Sequence, residues 1–156
     1  MVELLRHRPR GLFFEEFELG QQVATAGRTV TEADVVSFAA LSGDYNQIHT
    51  DAEFARSTAF GQRVAHGLLV LAIATGLIAQ TGALEGTALA FRELTWKFIK
   101  PVFLNDTVHV LAEVSGLKAL PRAAAGMVSL QVRVINQGDQ VVARGEWQAL
   151  MALKPI

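Results

Sequence analysis

The chain has 156 residues and a mass of 16.9 kDa, enough for one domain whose core needs no covalent staples. It has no cysteine, which excludes a disulfide framework, thiolate metal sites and cysteine nucleophiles. Fourteen Lys+Arg against fifteen Asp+Glu leave no basic excess for a nucleic-acid partner, while 51% hydrophobic and only 19% charged residues exclude disorder and call for a membrane segment or a buried oligomer interface.

In chain order, residues 1–14 read as a lead-in and 15–156 as a single domain. Arg6, Arg8 and Arg10 have no apolar stretch behind them, so no secretory signal is expected and a cytoplasmic location is. Gly20 turns the chain into a first strand expected around Val23–Val30. Thr31 with Asp34 forms a capping-box pattern. Val35, Phe38, Ala39 and Leu41 then recur at helical spacing up to Gly43, which predicts a helix over Glu32–Leu41. Residues 42–49 are polar and out of period, and predict a loop. Thr50 with Glu53 predicts a second capping box and a short helix through Arg56.

From Val64 to Leu84 no residue carries a formal charge, and about 20 such residues can span a bilayer. The apolar run proper is Leu68–Ala79, flanked by His66, Gln80 and Thr81 and broken by Gly67, Gly76 and Gly82. No aromatic belt or basic cluster marks its ends. The expectation is a helix over 64–81 buried in a soluble fold, with no membrane span.

After Gly86 the period changes to two. Leu94, Trp96 and Phe98 alternate with Thr95 and Lys97. Val108 to Val114 and Val128 to Ile135 alternate likewise, and Asn136-Gln137-Gly138-Asp139 is a hairpin turn into a last strand over Ala143–Met151. The order predicts an α+β fold with five antiparallel strands. A helix apolar all round needs cover on every side, and a curved sheet wrapped around it, the hotdog architecture, supplies that cover. The open edges of five strands predict a homodimer that continues the sheet.

The loop 42–49 gathers Asp44, Asn46 and His49 within six positions. A carboxylate and an imidazole can together hold and activate a water. The same residues also make an ordinary Asx-rich turn, and spacing alone leaves both readings open. Val64-Ala65-His66-Gly67 leads into the uncharged helix, where unpaired N–H groups and a positive dipole make the Gly67 amide a candidate oxyanion donor. A tight packing contact is the other reason for a glycine there. His66 is a structural hydrogen-bonded residue or a ligand, and the Thr75 hydroxyl by itself bonds back to the preceding turn. No metal-ligand set is assigned.

Phe38-Ala39-Ala40-Leu41-Ser42-Gly43-Asp44-Tyr45-Asn46-Gln47-Ile48-His49 resembles the signature of the MaoC-like, (R)-specific enoyl-CoA hydratase family. The likeness continues through Ala59-Phe60-Gly61, Val64-Ala65-His66-Gly67-Leu68-Leu69, Phe98-Ile99-Lys100-Pro101-Val102 and Asn105-Asp106-Thr107. It implies a hotdog dimer without metal or redox cofactor, acting on acyl-CoA thioesters. It further implies that Asp44 and His49 are the catalytic pair, Asn46 supports them, and the Gly67 N–H donates to the thioester oxygen. Thr75, Arg63 and His66 are then expected beside the substrate, with Arg63, Arg92, Lys97 and Lys100 as candidates for the CoA phosphates and Phe38, Leu69 and Trp96 shaping the acyl pocket. Gln47 departs from the family's usual proline, which bears on loop rigidity.

The activity so implied is reversible syn hydration of a trans-2-enoyl-CoA to a (R)-3-hydroxyacyl-CoA. The competing readings are a dehydratase on acyl carrier protein thioesters, a thioesterase, and a non-catalytic acyl-CoA-binding subunit. A thioesterase of this fold carries a carboxylate on the buried helix, and none lies between Val64 and Leu84. An inactive binder has no need of Asp44, Asn46 and His49 together.

Overall fold

A computed structural model describes residues 10–155, so Arg6 and Arg8 and most of the expected lead-in lie outside the described residues. Residues 10–13 are tied down: the Gly11 and Leu12 N–H groups donate to the carbonyls of Glu85 and Ala83, at 3.0 and 2.9 Å. The ordered elements are β1 (Gln22–Ala24), β2 (Arg28–Thr29), α1 (Glu32–Ser42), α2 (Gln47–Thr50), α3 (Ala52–Arg56), α4 (Gly67–Gln80), β3 (Ala88–Phe98), β4 (Thr107–Leu120), β5 (Ala125–Asn136) and β6 (Val141–Ala152). The strands form one antiparallel sheet in the order β1-β4-β5-β6-β3, with β2 also paired to β4. The sheet curves over α4 in the expected hotdog arrangement.

Among the described residues there are six strands rather than five, because the strand expected over Val23–Val30 is two short strands. Thr25 interrupts it: its hydroxyl takes the Val110 N–H at 2.9 Å, where a backbone carbonyl would otherwise continue the ladder. Alternation builds the inner face of the sheet. Val110, Val134 and Ala143 stand opposite one another across β4, β5 and β6; so do Val114, Leu130 and Trp147. All six are buried.

Against this face α4 buries Leu69, Val70, Ile73, Ala74, Leu77 and Ile78. Each large aliphatic among them contributes about 2 kcal/mol of apolar transfer. The composition of α4 predicts cover on every side, but among the described residues one flank of the helix is open. Leu68 is 61% exposed, and Ala72, Thr75, Gly76 and Ala79 lie on the same open flank. The helix also starts at Gly67 rather than near 64. Val64 bridges to Phe103, and the Ala65 N–H donates to Val102 at 2.8 Å, which holds 64–66 extended. No helix among the described residues is long and apolar enough to cross a membrane.

The first capping box forms as predicted. Thr31 Oγ accepts from the Asp34 N–H and the Asp34 carboxylate accepts from the Thr31 N–H, at 3.3 and 2.8 Å, while Gly43 ends α1 at φ +77°. The second cap is Asp51, not Thr50. Asp51 accepts from the Phe54 N–H at 2.9 Å, because Thr50 is already the last residue of α2. Asp34 also pairs with Arg28. Partial burial pushes its carboxyl up, but the Thr31 N–H and hydroxyl and the Arg28 guanidinium outweigh that and hold it below the usual range. A lowered carboxyl stabilises the fold above its unfolded value, near 3.9, and that stability is lost as pH falls through the folded value. Asp34→Asn is expected to cost about 1 kcal/mol at pH 7. Urea unfolding should show the difference from the parent shrinking at pH 3.

Candidate active site

The loop expected over 42–49 closes early, and its second half is helix α2. Asn46 caps that helix, its Oδ1 accepting from the Ile48 N–H at 3.2 Å. One turn on, His49 is brought inward and is 8% exposed. Its Nδ1 lies 2.7 Å from the Val64 carbonyl. A carbonyl only accepts, so Nδ1 carries the proton and in the neutral ring Nε2 presents a lone pair. That lone pair faces Asp44 Oδ2 across 3.9 Å. Asp44 is set by its own turn: its N–H donates to Ser42 Oγ at 3.1 Å, and its Oδ1 accepts from the Asn46 N–H at 3.2 Å. Asn46 thus supports the pair through local backbone bonds.

A direct hydrogen bond does not span 3.9 Å, but one water does. Two bonds of about 2.8 Å to the same oxygen close that gap at an angle of about 90°. With Asp44 ionised and His49 neutral, both hydrogens of the water have acceptors and its remaining lone pairs are free to attack.

His66 stacks on a face of the His49 ring and is 2% exposed, with ring centroids 3.9 Å apart and 29° between planes. Asp44, His49 and His66 each place a ligating atom within 4.8 Å of the others. Coordination needs the ion in the plane of each imidazole, however, and stacked rings aim their lone pairs along nearly parallel planes. One ring would have to turn before both could bind a single ion.

Gly67 follows His66 and opens α4, and the His66 side chain makes no capping bond there, so the first amides of the helix have no intrahelical acceptor. A Gly67 side chain would meet a neighbour, and the residue also lines open space. A Cβ at Gly67 would sit 2.6 Å from the Phe98 ring, and the same Gly67 borders an apolar cavity of about 390 Å³ with Phe60, Leu68, Val70, Phe98 and Lys100 in its walls.

The structure therefore brings Asp44, Asn46, His49, His66 and Gly67 to one place. Thr75 is eight residues along α4, about 12 Å away, exposed on the open flank with its hydroxyl donating to the Ala72 carbonyl at 2.7 Å. Arg63 is engaged by both carboxylate oxygens of Glu32. Hydrogen bonding to Glu32 raises the guanidinium pKa, and its partner's carboxyl is lowered by the same contact. Lys97 stands opposite Arg144 on the outer face of the sheet, and Arg92 sits at a register shift in β3. Of the four cations expected near CoA, Lys100 alone borders the cavity. Phe38, Leu69 and Trp96 do not line it: Phe38 meets His66 at 5.0 Å, Leu69 is in the core and Trp96 lies 5.8 Å from Trp147. The residues that spacing did not reveal are Phe98 and the Val64 carbonyl, which carry no local signal because their roles arise from strand pairing.

Residues 15–136 match the MaoC like domain family. The chain is 33% identical over 132 residues to the (R)-specific enoyl-CoA hydratase of Aeromonas caviae, covering 85% of this chain and 93% of that one. It is 40% identical over 105 residues to the protein MaoC of Klebsiella aerogenes, where the match covers 67% of this chain and 31% of that longer protein. The crystal structure of a monoamine oxidase regulatory protein from Archaeoglobus fulgius superimposes with a TM-score of 0.87 at 34% identity, over 93% of this chain and 97% of the other. With a matched stretch this long, which includes the acid–imidazole loop and the helix start, the chain belongs to the MaoC-like domain family.

Proposed function

We propose that the chain is a hydro-lyase catalysing reversible syn addition of water to a trans-2-enoyl-CoA, giving a (R)-3-hydroxyacyl-CoA. The observation that carries this reading is the 3.9 Å separation of Asp44 Oδ2 and His49 Nε2, a gap matched to one water whose two hydrogens both find acceptors. The thioester oxygen is taken by the Gly67 N–H at the start of α4, which withdraws charge from the β-carbon. The water oxygen bonds to that carbon as one member of the pair takes its proton, the alkene electrons pass toward the thioester oxygen, and the pair returns a proton to the α-carbon. Dehydration follows the same steps in reverse. The likeness to the Aeromonas caviae hydratase supports the substrate class, and the apolar cavity beside Gly67 suits an acyl chain. Thr75 and Arg63 are kept as substrate contacts of an assembled dimer.

That dimer is part of the proposal. Among the described residues β3 is paired on one side only, to β6, and Leu89, Phe91, Leu94 and Phe98 along it are exposed. The open flank of α4 adds Leu68. A second copy that extends the sheet covers both. A cytosolic setting accords with a chain that has no cysteine.

The test is purified protein with crotonyl-CoA, followed by loss of the conjugated-thioester absorbance, with chiral analysis of the product. Light scattering gives the oligomeric state. Binding without turnover would favour a non-catalytic subunit, and turnover only of the acyl carrier protein thioester would favour the dehydratase alternative. Phe91→Lys is expected to yield a monomer; a dimer that survives it would place the contact elsewhere.

A further inference from the structure

We propose that His66 is a positioning residue that holds both members of the Asp44–His49 pair in place and does not itself touch the substrate. Only the kinetic arm of its test rests on the hydratase reading. His66 ends the extended segment ahead of α4, and its Nε2 lies 2.9 Å from the backbone carbonyl of Asp44, 22 positions away in the chain. The carbonyl accepts, so Nε2–H is the donor and anchors the tip of the loop that presents the carboxylate. One face of the ring lies on His49 at 3.9 Å, and Phe38 meets it at 5.0 Å. A single side chain therefore joins α1, the loop at Asp44, α2 and the start of α4.

Its other nitrogen points to the same role. With Nε2 protonated, Nδ1 is a lone pair, buried and without a hydrogen-bond partner. An unpaired buried polar atom is a stability cost, and leucine would fill the space without it. What the imidazole adds is a flat stacking face and a directional donor in one side chain. The face backs the His49 ring, whose own proton is held by Val64, so that Nε2 stays aimed across the gap. The donor fixes the backbone from which the Asp44 carboxylate projects. A displacement of about 1 Å in such an alignment is worth up to ~10²-fold in rate.

Two substitutions separate the two functions. His66→Phe keeps the flat face and drops the donor, whereas His66→Gln keeps an Nε2 donor and drops the face. His66→Phe is expected to lower kcat by up to ~10²-fold with KM unchanged, and His66→Gln to recover part of that loss. Wild-type kcat in both variants overturns the proposal, as does a raised KM at unchanged kcat, which is the mark of a substrate contact. NMR of the ligand-free protein decides the matter without any activity. In His66→Phe the Asp44 amide and His49 ring resonances should shift, and in His66→Gln the Asp44 amide should stay closer to its wild-type position. Unmoved Asp44 and His49 signals in both variants refute the assignment, even if the protein turns out to hydrate no enoyl-CoA.

Discussion

Asp44→Asn and His49→Ala are each expected to lower turnover of crotonyl-CoA by roughly 10²–10⁴-fold, the usual worth of a positioned acid or base. The two residues act on one water, so the double variant should be little worse than the poorer single one. The variants differ in stability for reasons visible in the fold. The Asp44 side chain is half exposed, and an asparagine amide oxygen can still accept from the Asn46 N–H. His49 is buried and its Nδ1–H is bonded to Val64, so His49→Ala also loses about 1 kcal/mol with that hydrogen bond. Turnover should therefore be measured below the variant's melting temperature. Unchanged turnover in either variant would remove the pair from the mechanism.

Gly145→Ala should have the largest effect on the fold. Gly145 pairs with Trp96 across β3 and β6 and with Val132 across β5 and β6. A Cβ there would stand 1.9 Å from the backbone oxygen of Thr95 and 2.8 Å from the Trp96 ring. The oxygen belongs to a paired strand and cannot move without breaking the register, so the substitution should cost about 3 kcal/mol or more. Gly67→Ala is a useful contrast, because the three atoms nearest its Cβ all belong to the ring of Phe98, which is 58% exposed and free to swing aside. Equilibrium unfolding should show a large loss for Gly145→Ala and a small one for Gly67→Ala. An unaltered midpoint for Gly145→Ala would contradict the β3–β6 register.

The elements whose signals are local were legible in the chain. The Thr31–Asp34 box and the positive-φ Gly43 bound α1 where the spacing placed it, and the alternation at 108–114 and 128–135 marked β4 and β5. Errors came where a distant partner decides the local structure. Thr25 breaks a continuous first strand only because Val110 lies across from it, and Val64–His66 stays extended only because Val102 and Phe103 pair with it. The apolar helix calls for cover on all sides, yet among the described residues a flank with Leu68 and Thr75 stays open.

The same division holds at the site. By itself the sequence determined the chemical inventory: Asp44, Asn46 and His49 in one turn-rich stretch, Gly67 at the head of an uncharged helix, and no thiol anywhere in the chain. It also determined the alternation that curls a sheet over that helix, since period and composition act between near neighbours. Only the tertiary structure decided the 3.9 Å gap between acid and imidazole, the tautomer of His49 set by Val64, the engagement of Arg63 by Glu32, and the stacking of His66 against the pair. The last three join groups 15 or more positions apart, and the gap depends on one of them, since Val64 holds the His49 ring; distances of that kind are fixed by packing, which local propensity does not encode.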